Sequence, residues 1–529
     1  MRNGMRARAL FWTLGATVGV GIAQPACFGA DWISTSTGNA STTEDASTED
    51  TSIADTPSDV QSSDGCDLTL EPKDAPQCVV NEYGAFVSSE TGNDDNPGTK
   101  EYPLATIGKA LAVAAQQSKP RVYVCGTGTL QESVQIVGAT SVSGIYGGFV
   151  CSNWEYNYDT DSKAHVVPAT TGVALSLLHR PSAITIADLA FAVQSAQTPG
   201  ESSVAVLVNQ SNVTFKRCDL KAANGMKGGG GKGGEVDNPN YPPSTTTAPS
   251  GNDAVYDMAM GAATQTCAAN PCADHSTSSG GRGGYGGDVP TNGEPGTPNN
   301  GGGNGGTGST DLHCGEGGAG AAGVAGAAGT VPTAGAPGTV TSGSGSLTSD
   351  GIWIPAWSVI GKVGGIGQGG GGGGGTTYLY TGGGGGGCGG CGGSPGSAAQ
   401  AGGASIALIS YKSQVALNAC TLTAGQAGAG GKGALGQVGQ YGGNGGYASY
   451  GCQGGYGGSG GNGGASAGGA GGIAAGILWL GDASQAPTPD DATNSNINPG
   501  YKGLGGTGGN PGSNDGLAGV SGPVLLVRQ

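Results

Sequence analysis

The chain has 529 residues, of which 114 are glycine, and it carries a formal net charge of −16 with only 11% of its residues charged. Nucleic acids and anionic membrane surfaces are bound by clustered lysine and arginine, so this composition argues against both as partners. The length is sufficient for several structural units.

The N-terminus has the pattern of an export signal. Several arginines precede an apolar run over residues 9–23, which is too short for a membrane span. Residues 34–64 then contain fifteen Ser or Thr and seven acidic residues but no basic one. We therefore predict a signal peptide over 1–26, a solvated tether over 27–64, and an exported protein.

A cysteine, Cys27, stands between the signal and the tether. This order resembles that of a bacterial lipoprotein, which implies lipidation of the Cys27 thiol and a place at the outer membrane or cell surface. Gln24 and Pro25 depart from the lipoprotein pattern, so cleavage after Ala23 and release outside the cell is the alternative. No later segment has eighteen consecutive apolar residues, and we expect membrane contact only through the lipid anchor.

The stretch from Phe86 to Phe149 begins with turn residues and a helical pattern. Residues 96–98 read Asn-Pro-Gly, and Leu104, Ile107, Leu111 and Ala115 form one apolar helical stripe. The line FVSSETGNDDNPGTKEYPLATIGKALAVAAQQSKPRVYVCGTGTLQES resembles the opening segment of bacterial right-handed β-helix proteins, a family of unknown function. The resemblance implies a helix that caps the first coil, whose edge would otherwise be exposed.

A twelve-residue line recurs three times. The copies SAITIADLAFAV, SNVTFKRCDLKA and SQVALNACTLTA begin at Ser182, Ser211 and Ser413, and an apolar alternation precedes each. Alternation indicates strands with one buried face, and the 29 residues between the first two copies match one coil of a parallel β-helix. We predict an all-β fold, a right-handed parallel β-helix with an N-terminal helical cap; a β-sandwich is the alternative.

Glycine occupies every third position between Gly430 and Gly472, with only Ala448 and Ser466 as exceptions. Such a period is required when one ridge of a three-residue helix presses against a neighbouring backbone. The segment lacks proline, which argues against a collagen triple helix. We predict polyglycine II-like helices in the glycine-rich insertions, with disorder as the alternative.

The positions of this segment fall into three sets, here called phases, each of which repeats every third residue. One phase is glycine, and another carries tyrosines. Tyr441, Tyr447, Tyr450 and Tyr456 share that phase, so a straight three-residue helix would set them along one edge. Aromatic faces can stack on sugar rings, and we predict them as possible contacts for an extracellular polysaccharide. The alternative is that the rings lie over the bare glycine ridges and seal them.

The twelve cysteines after Cys27 favour disulfides in an exported chain. Proximity in sequence suggests Cys66 with Cys78, Cys125 with Cys151, and Cys267 with Cys272. Cys218 and Cys420 occupy the same place in aligned repeats, where stacked strands would bring their Cα atoms to about 4.8 Å. Cys388 and Cys391 could form half a zinc site, but the four histidines have no metal spacing. We predict no metal and no cofactor.

The predicted organisation and function follow from these segments. After the tether we place capped β-helix coils over 65–224, a glycine-rich insertion over 225–403, a coil over 404–429, the glycine-triplet segment over 430–472, and a C-terminal coil and tail over 473–529. The composition resembles that of the glycine-rich, PGRS-like secreted proteins of soil bacteria such as myxobacteria. No catalytic constellation is visible, and Lys216 and Arg217 read as solvated corner residues. We expect a non-catalytic cell-surface structural or adhesive protein with weak glycan binding; a polysaccharide lyase or glycoside hydrolase on a β-helix is the alternative.

Overall fold

The structure is a computed structural model that describes residues 65–157, 163–234, 238, 240–242, 245–254, 272–311, 313–318, 339–340, 342–489 and 495–528. The predicted signal peptide and tether, with Cys27, lie outside these residues, and so does Cys267. Within the described part most regular structure is strand, the three large sheets are parallel, and there is a single α-helix. The all-β class is therefore confirmed.

The regular elements are short. The helix is α1 (Ile107–Gln116). In chain order the strands are β1 (Gly84–Ser88), β2 (Arg121–Cys125), β3 (Thr129–Leu130), β4 (Val134–Val137), β5 (Gly144–Phe149), β6 (Ala164–Val166), β7 (Leu175–Leu178), β8 (Ile184–Ala187), β9 (Leu189–Ala192), β10 (Ser203–Asn209), β11 (Asn212–Lys216), β12 (Asp219–Lys221), β13 (Thr339–Val340), β14 (Gly345–Leu347), β15 (Trp353–Pro355), β16 (Ser405–Tyr411), β17 (Gln414–Asn418), β18 (Thr421–Thr423), β19 (Ala474–Leu480), β20 (Thr488–Pro489), β21 (Asn496–Asn498) and β22 (Ser521–Val527).

Most of these strands form three parallel sheets, and most successive strands along the chain belong to different sheets. Sheet A has the order β1-β2-β5-β8-β11-β17-β20, sheet B has β21-β18-β12-β9-β6-β3, and sheet C has β13-β22-β19-β16-β10-β7-β4. From β2 to β12, and again from β16 to β22, consecutive strands enter A, B and C in turn, and three such strands are called a rung below. Pairing within the three sheets is parallel, which the β-sandwich alternative would not produce.

The register between rungs is the one that the sequence repeats predict. In sheet A, Val213 of β11 pairs with Ile184 on one side and Val415 on the other, at offsets of 29 and 202 residues. Inward side chains therefore stack like on like, and Phe191, Leu220 and Leu422 form one such ladder in sheet B. These residues are almost fully buried in one core shared by all three sheets. Each large side chain removed from water contributes roughly 1.5–3 kcal/mol.

Helix α1 covers the core beside the first strands. Thr106 caps it by accepting a hydrogen bond from the Lys109 amide, and its buried face packs against the shared core. The predicted stripe is correct at Leu104 and Ile107 but wrong at its last position, because Ala114 is buried whereas Ala115 is exposed. The helix turns Ala114 inward because positions seven residues apart share a face.

The stacked rungs of sheets A, B and C are called the strand stack below. Long loops leave the strand stack at one corner, between sheet B and sheet C. After β9 only ten residues intervene before β10, but residues 222–404, 424–473 and 499–520 fill the same place in the next three rungs. The described glycine-rich parts of these loops, together called the glycine bundle, are residues 222–234, 245–254, 278–286, 291–297, 302–308, 314–318, 358–375, 382–404, 424–447, 452–473, 500–509 and 514–520. Their backbones are hydrogen-bonded to one another, so these segments are ordered.

Disulfides occur near the first strands and in the glycine bundle, where they connect segments that are distant in sequence. The predicted pairs Cys66–Cys78 and Cys125–Cys151 are present. The predicted partner of Cys272 is wrong, because Cys272 is bonded to Cys391 in a segment 119 residues away. A further bond joins Cys314 to Cys452. Cys388 is also disulfide-bonded, so the Cys388 and Cys391 thiols are both oxidised rather than paired as metal ligands.

Cys218 and Cys420 are neighbours in stacked rungs but are free thiols, which corrects the predicted disulfide. The Cys218 amide donates to the Cys420 Sγ at 3.4 Å, and each thiol donates to a nearby backbone carbonyl. In-register side chains on a parallel sheet point the same way, so their Cβ atoms stay about 4.8 Å apart, which is wider than the roughly 3.8 Å of a disulfide. Burial raises the pKa of the Cys218 thiol.

Candidate functional site

A charged cluster occupies the corner between sheets A and B. In three successive rungs the chain turns there through one or two residues, and Asp188, Arg217 and Ala419 hold the left-handed conformation at this place, with φ of 58°, 52° and 53°. The Arg217 guanidinium binds Asp188 of the preceding rung (Nε to Oδ1, 2.7 Å) and also Glu71. Lys216 adds an ion pair to Glu71 (2.7 Å).

This cluster overturns the prediction that Lys216 and Arg217 are solvated corner residues. Glu71 lies 145 residues before Lys216 in the chain, so nothing in the local sequence points to it. Asp188 was detectable, because it stands opposite Arg217 when the repeats are aligned. Burial by itself raises the pKa of Glu71, but the hydrogen bonds and charges of Lys216 and Arg217 outweigh burial and hold that pKa below its ordinary value.

The ion pairs limit what this corner can do chemically. A lyase or hydrolase needs a carboxylate or base that is free to bind calcium or to accept a proton. Glu71 and Asp188 are instead paired with Lys216 and Arg217, and both carboxylates are largely shielded from solvent. Among the residues that the structure describes, no three His, Cys, Asp or Glu side chains are grouped as a metal site. The cluster therefore serves to fasten the segment around Glu71 to the strand stack.

The tyrosines singled out in the sequence lie on the surface of the glycine bundle. Tyr441, Tyr447, Tyr450 and Tyr456 are 55%, 58%, 47% and 63% exposed, so the rings do not seal the glycine ridges. They also do not lie along one edge. The Gly454 amide donates to the Gly446 carbonyl, and Gly457 donates to Gly443, so the chain reverses between these glycines.

The reversal separates the predicted tyrosine line into three places. Tyr441 and Tyr447 lie on the outgoing segment, Tyr456 lies on the returning segment, and Tyr450 lies in the turn. The period of three continues through the turn with only the small residue Ala448 in place of glycine, which is why sequence spacing suggests one straight edge. The structure therefore leaves separate half-exposed rings rather than a continuous aromatic strip.

Packing inside the glycine bundle leaves no room for side chains at the ridge positions. A Cβ atom on Gly454 would overlap the Gly385 carbonyl oxygen, and one on Gly457 would overlap that of Cys388. By contrast, Gln453 is exposed. The period-three glycines are therefore required by backbone contacts between segments, as the sequence pattern predicts.

Comparisons with known proteins add no further identification. No protein-family model matches this chain, and no curated protein or solved structure does so either. The resemblance to β-helix opening segments and to PGRS-like proteins therefore stays a prediction. In the part of the chain that the structure covers, no helix combines the length and apolarity of a membrane span.

Proposed function

We propose that this chain is a non-catalytic, exported cell-surface protein with a structural or adhesive role, in which a right-handed parallel β-helix carries a polyglycine II bundle. The observation that carries the proposal is the glycine bundle, an ordered and disulfide-linked array with half-exposed tyrosines on its surface. Weak, reversible contact with extracellular polysaccharide is part of the proposal.

The strand rotation supports the β-helix. One strand per sheet in each rung, a 29-residue repeat and inward ladders of like side chains are what a parallel β-helix requires. The right hand follows the general preference of parallel crossover connections. The helix α1 fits the role of the cap that the sequence resemblance implies.

The directions of the backbone hydrogen bonds support polyglycine II. The Gly460 amide donates to Gln440 in one neighbouring segment, whereas the next amide, of Gly461, donates to Gly365 in another. The same partners recur every three residues, since Gly463 donates to Gln437 and Gly464 to Lys362. An extended helix with three residues per turn produces this pattern, because successive amides point in different directions around its axis.

Disulfides and surface chemistry support export and adhesion. Disulfides persist in oxidising compartments outside the cytosol, and here Cys314–Cys452 joins two parts of the bundle while Cys391 joins the bundle to Cys272 beside it. Cross-linked segments resist unfolding because each disulfide lowers the conformational entropy of the unfolded chain. Lipidation of Cys27 would hold such a body at the membrane through the tether over 27–64.

The anchor is tested by expressing the full chain in a Gram-negative host, beside the Cys27→Ser variant. We expect wild type to fractionate with membranes and its mature form to begin at a lipidated Cys27 by intact mass. The variant should appear in the soluble exported fraction. An unmodified mature chain that starts at another residue would remove the anchor from the proposal.

The adhesive role is tested with the purified full chain coupled to beads and incubated with a panel of polysaccharides. We expect retention without cleavage, and heat-denatured protein on the same beads serves as the control. Release of reducing or unsaturated sugar ends would favour the lyase or hydrolase alternative instead. Absence of both retention and cleavage would leave a structural role and exclude the adhesive one.

A further inference from the structure

Four turns of the glycine bundle meet at the end farthest from the strand stack, and we call them the tip. They are residues 287–290, 309–311 with 313, 376–381 and 448–451. Each joins two antiparallel segments, and hydrogen bonds between the segments set the turns side by side. Gly373 donates to Gly384 just below one turn, and Gly446 donates to Gly385 just below the next.

The turn over 376–381 holds the tip together. Its Thr376 carbonyl accepts from the Gly287 amide at 3.2 Å, and the Thr377 amide donates to the Ser309 carbonyl at 3.3 Å. The Thr376 hydroxyl donates to the Tyr450 carbonyl at 3.4 Å. This one turn therefore contacts each of the other three, and the Cys314–Cys452 disulfide joins the segments that directly follow two of them.

The side chains of the tip are aromatic and exposed. Tyr378 and Tyr450 place their ring centroids 5.7 Å apart, and the rings are tilted by 56°. The Tyr380 hydroxyl donates to the Asp288 Oδ1 at 3.0 Å. All three rings are about half exposed, and Val289 beside Asp288 is almost fully exposed. Rings and a carboxylate are therefore presented together to solvent.

The backbone of the same turn is strained. Leu379 and Tyr380 both lie in the left-handed region, with φ of 49° and 52°, which bulky residues rarely adopt. Two such residues in succession cost free energy that the surrounding hydrogen bonds must offset. Strain of this kind is concentrated at binding and active sites.

The charge at the tip has one sign. The four turns contain Asp288 and Asp311 but no lysine or arginine. The nearby Arg282 lies below the turns, with its guanidinium over the Tyr285 ring at 4.2 Å. An anionic ligand would meet carboxylates without a compensating cation at the tip, so the charge favours an uncharged partner.

We propose that the tip is a binding surface for a neutral polysaccharide, with Tyr378, Tyr380 and Tyr450 as the stacking rings and Asp288 as the hydrogen-bond acceptor. The proposal rests on the adhesive function above and moves the contact from the sides of the bundle to its end. Aromatic faces stack on the apolar faces of sugar rings, and a carboxylate accepts hydrogen bonds from sugar hydroxyls. The separate, polar-rimmed rings suit a sugar chain better than a continuous apolar protein partner.

The test is affinity electrophoresis of the purified, disulfide-intact full chain in native gels that contain hydroxyethylcellulose, mannan or alginate. We expect retardation in at least one neutral gel and none in alginate. The double variant Tyr378→Ala/Tyr380→Ala should weaken the apparent binding by roughly tenfold or more, since each stacked ring contributes substantially to affinity. Tyr380→Phe keeps the ring and should lose less.

The control is Tyr501→Ala, which removes a highly exposed tyrosine near the strand stack and should bind like wild type. Matched melting temperatures establish that both variants fold. Equal retardation of the double variant and the control, retardation in alginate alone, or no retardation in either neutral gel would overturn the proposal. If one of these outcomes refutes the tip, retention of a polysaccharide on the beads by wild type and double variant alike would still support the adhesive function, whereas no retention by either would refute both, so the two failures are distinguishable.

Discussion

Single residues decide how the chain turns between sheets A and B. Asp188 and Arg217 are corner residues of successive rungs, and their opposite charges pair directly across the rung spacing. Glu71 joins them from a segment outside the rungs. The corner position of Arg217 requires only a left-handed backbone conformation. Its side chain additionally attaches the N-terminal part of the described chain.

The Glu71 contact predicts how stability depends on pH. The pKa of Glu71 is lower in the folded chain than its ordinary value of 4.5, because Lys216 and Arg217 outweigh the effect of burial. A carboxyl with a depressed folded-state pKa contributes stability above that ordinary value, and the contribution is lost as the pH falls through the folded-state pKa. We expect the melting temperature to fall below pH 4.5, and Glu71→Gln to lower it at pH 7 and to flatten this part of the profile.

Glu316→Gln is the matched control, since Glu316 is an exposed carboxyl in the glycine bundle. Thermal melts of the three proteins from pH 3 to pH 7, roughly the range over which carboxyls titrate, provide the measurement. A Glu71→Gln profile that runs parallel to wild type would show that the cluster does not contribute to acid sensitivity.

At the scale of the element, the glycine period makes a prediction about packing. Gly457→Val places side-chain atoms against the Cys388 carbonyl in the neighbouring segment, and backbone cannot move aside there without breaking its own hydrogen bonds. Forced overpacking of this kind costs roughly 1–3 kcal/mol, so we expect faster proteolysis and earlier melting. Gln453→Val on the exposed phase of the same segment should change stability by less than about 0.5 kcal/mol. Equal protease sensitivity of the two variants would contradict close packing.

The sequence predicts elements where the chemistry is local and repeated. Alternation and the Ser182, Ser211 and Ser413 copies predict the strands and their register, because inward positions must align for the core to close. The period-three glycines predict backbone contact. The reversal before Gly454 could not be predicted, because the period of three continues through the turn, and Ala448 there is a small exception of the same kind as Ser466, which lies away from the turn.

The sequence also could not predict which segments of the glycine bundle pack against one another, for a related reason. Every ridge presents the same bare backbone, so composition does not say which segment lies beside which. The bond from Cys272 to Cys391 is one result, since proximity in sequence suggests a different partner. The tip is another, because Tyr378 and Tyr380 belong to no glycine phase, and Tyr378 meets Tyr450 only after the intervening chain has folded back.

For the whole molecule, the disulfides predict how the glycine bundle depends on oxidation. Cys314–Cys452 closes a loop of 138 residues, for which the chain-entropy model gives a stabilisation of roughly 4–5 kcal/mol. We expect Cys314→Ser/Cys452→Ser to open the tip to proteases at a lower temperature while the β signal in circular dichroism persists. The strand stack should persist because its core contains neither cysteine.

Cys66→Ser/Cys78→Ser is the comparison, since that bond closes only 12 residues and lies outside the bundle. Its loss should leave the protease sensitivity of the glycine bundle unchanged. Limited proteolysis followed by mass mapping of the cut sites measures both effects. A loss of β signal in the Cys314→Ser/Cys452→Ser protein would show that the bundle and the strand stack unfold as one unit.

The loops of three successive rungs leave at one corner and return at the same place, so the arms of each hairpin can change length without disturbing the strands. One added triplet in each arm keeps every glycine in phase and lengthens a three-residue helix by about 9 Å. Gains and losses of triplets would thus carry the exposed rings outward or inward in fixed steps. The number of triplets in each arm therefore sets the distance between the strand stack and the ligand that the tip contacts.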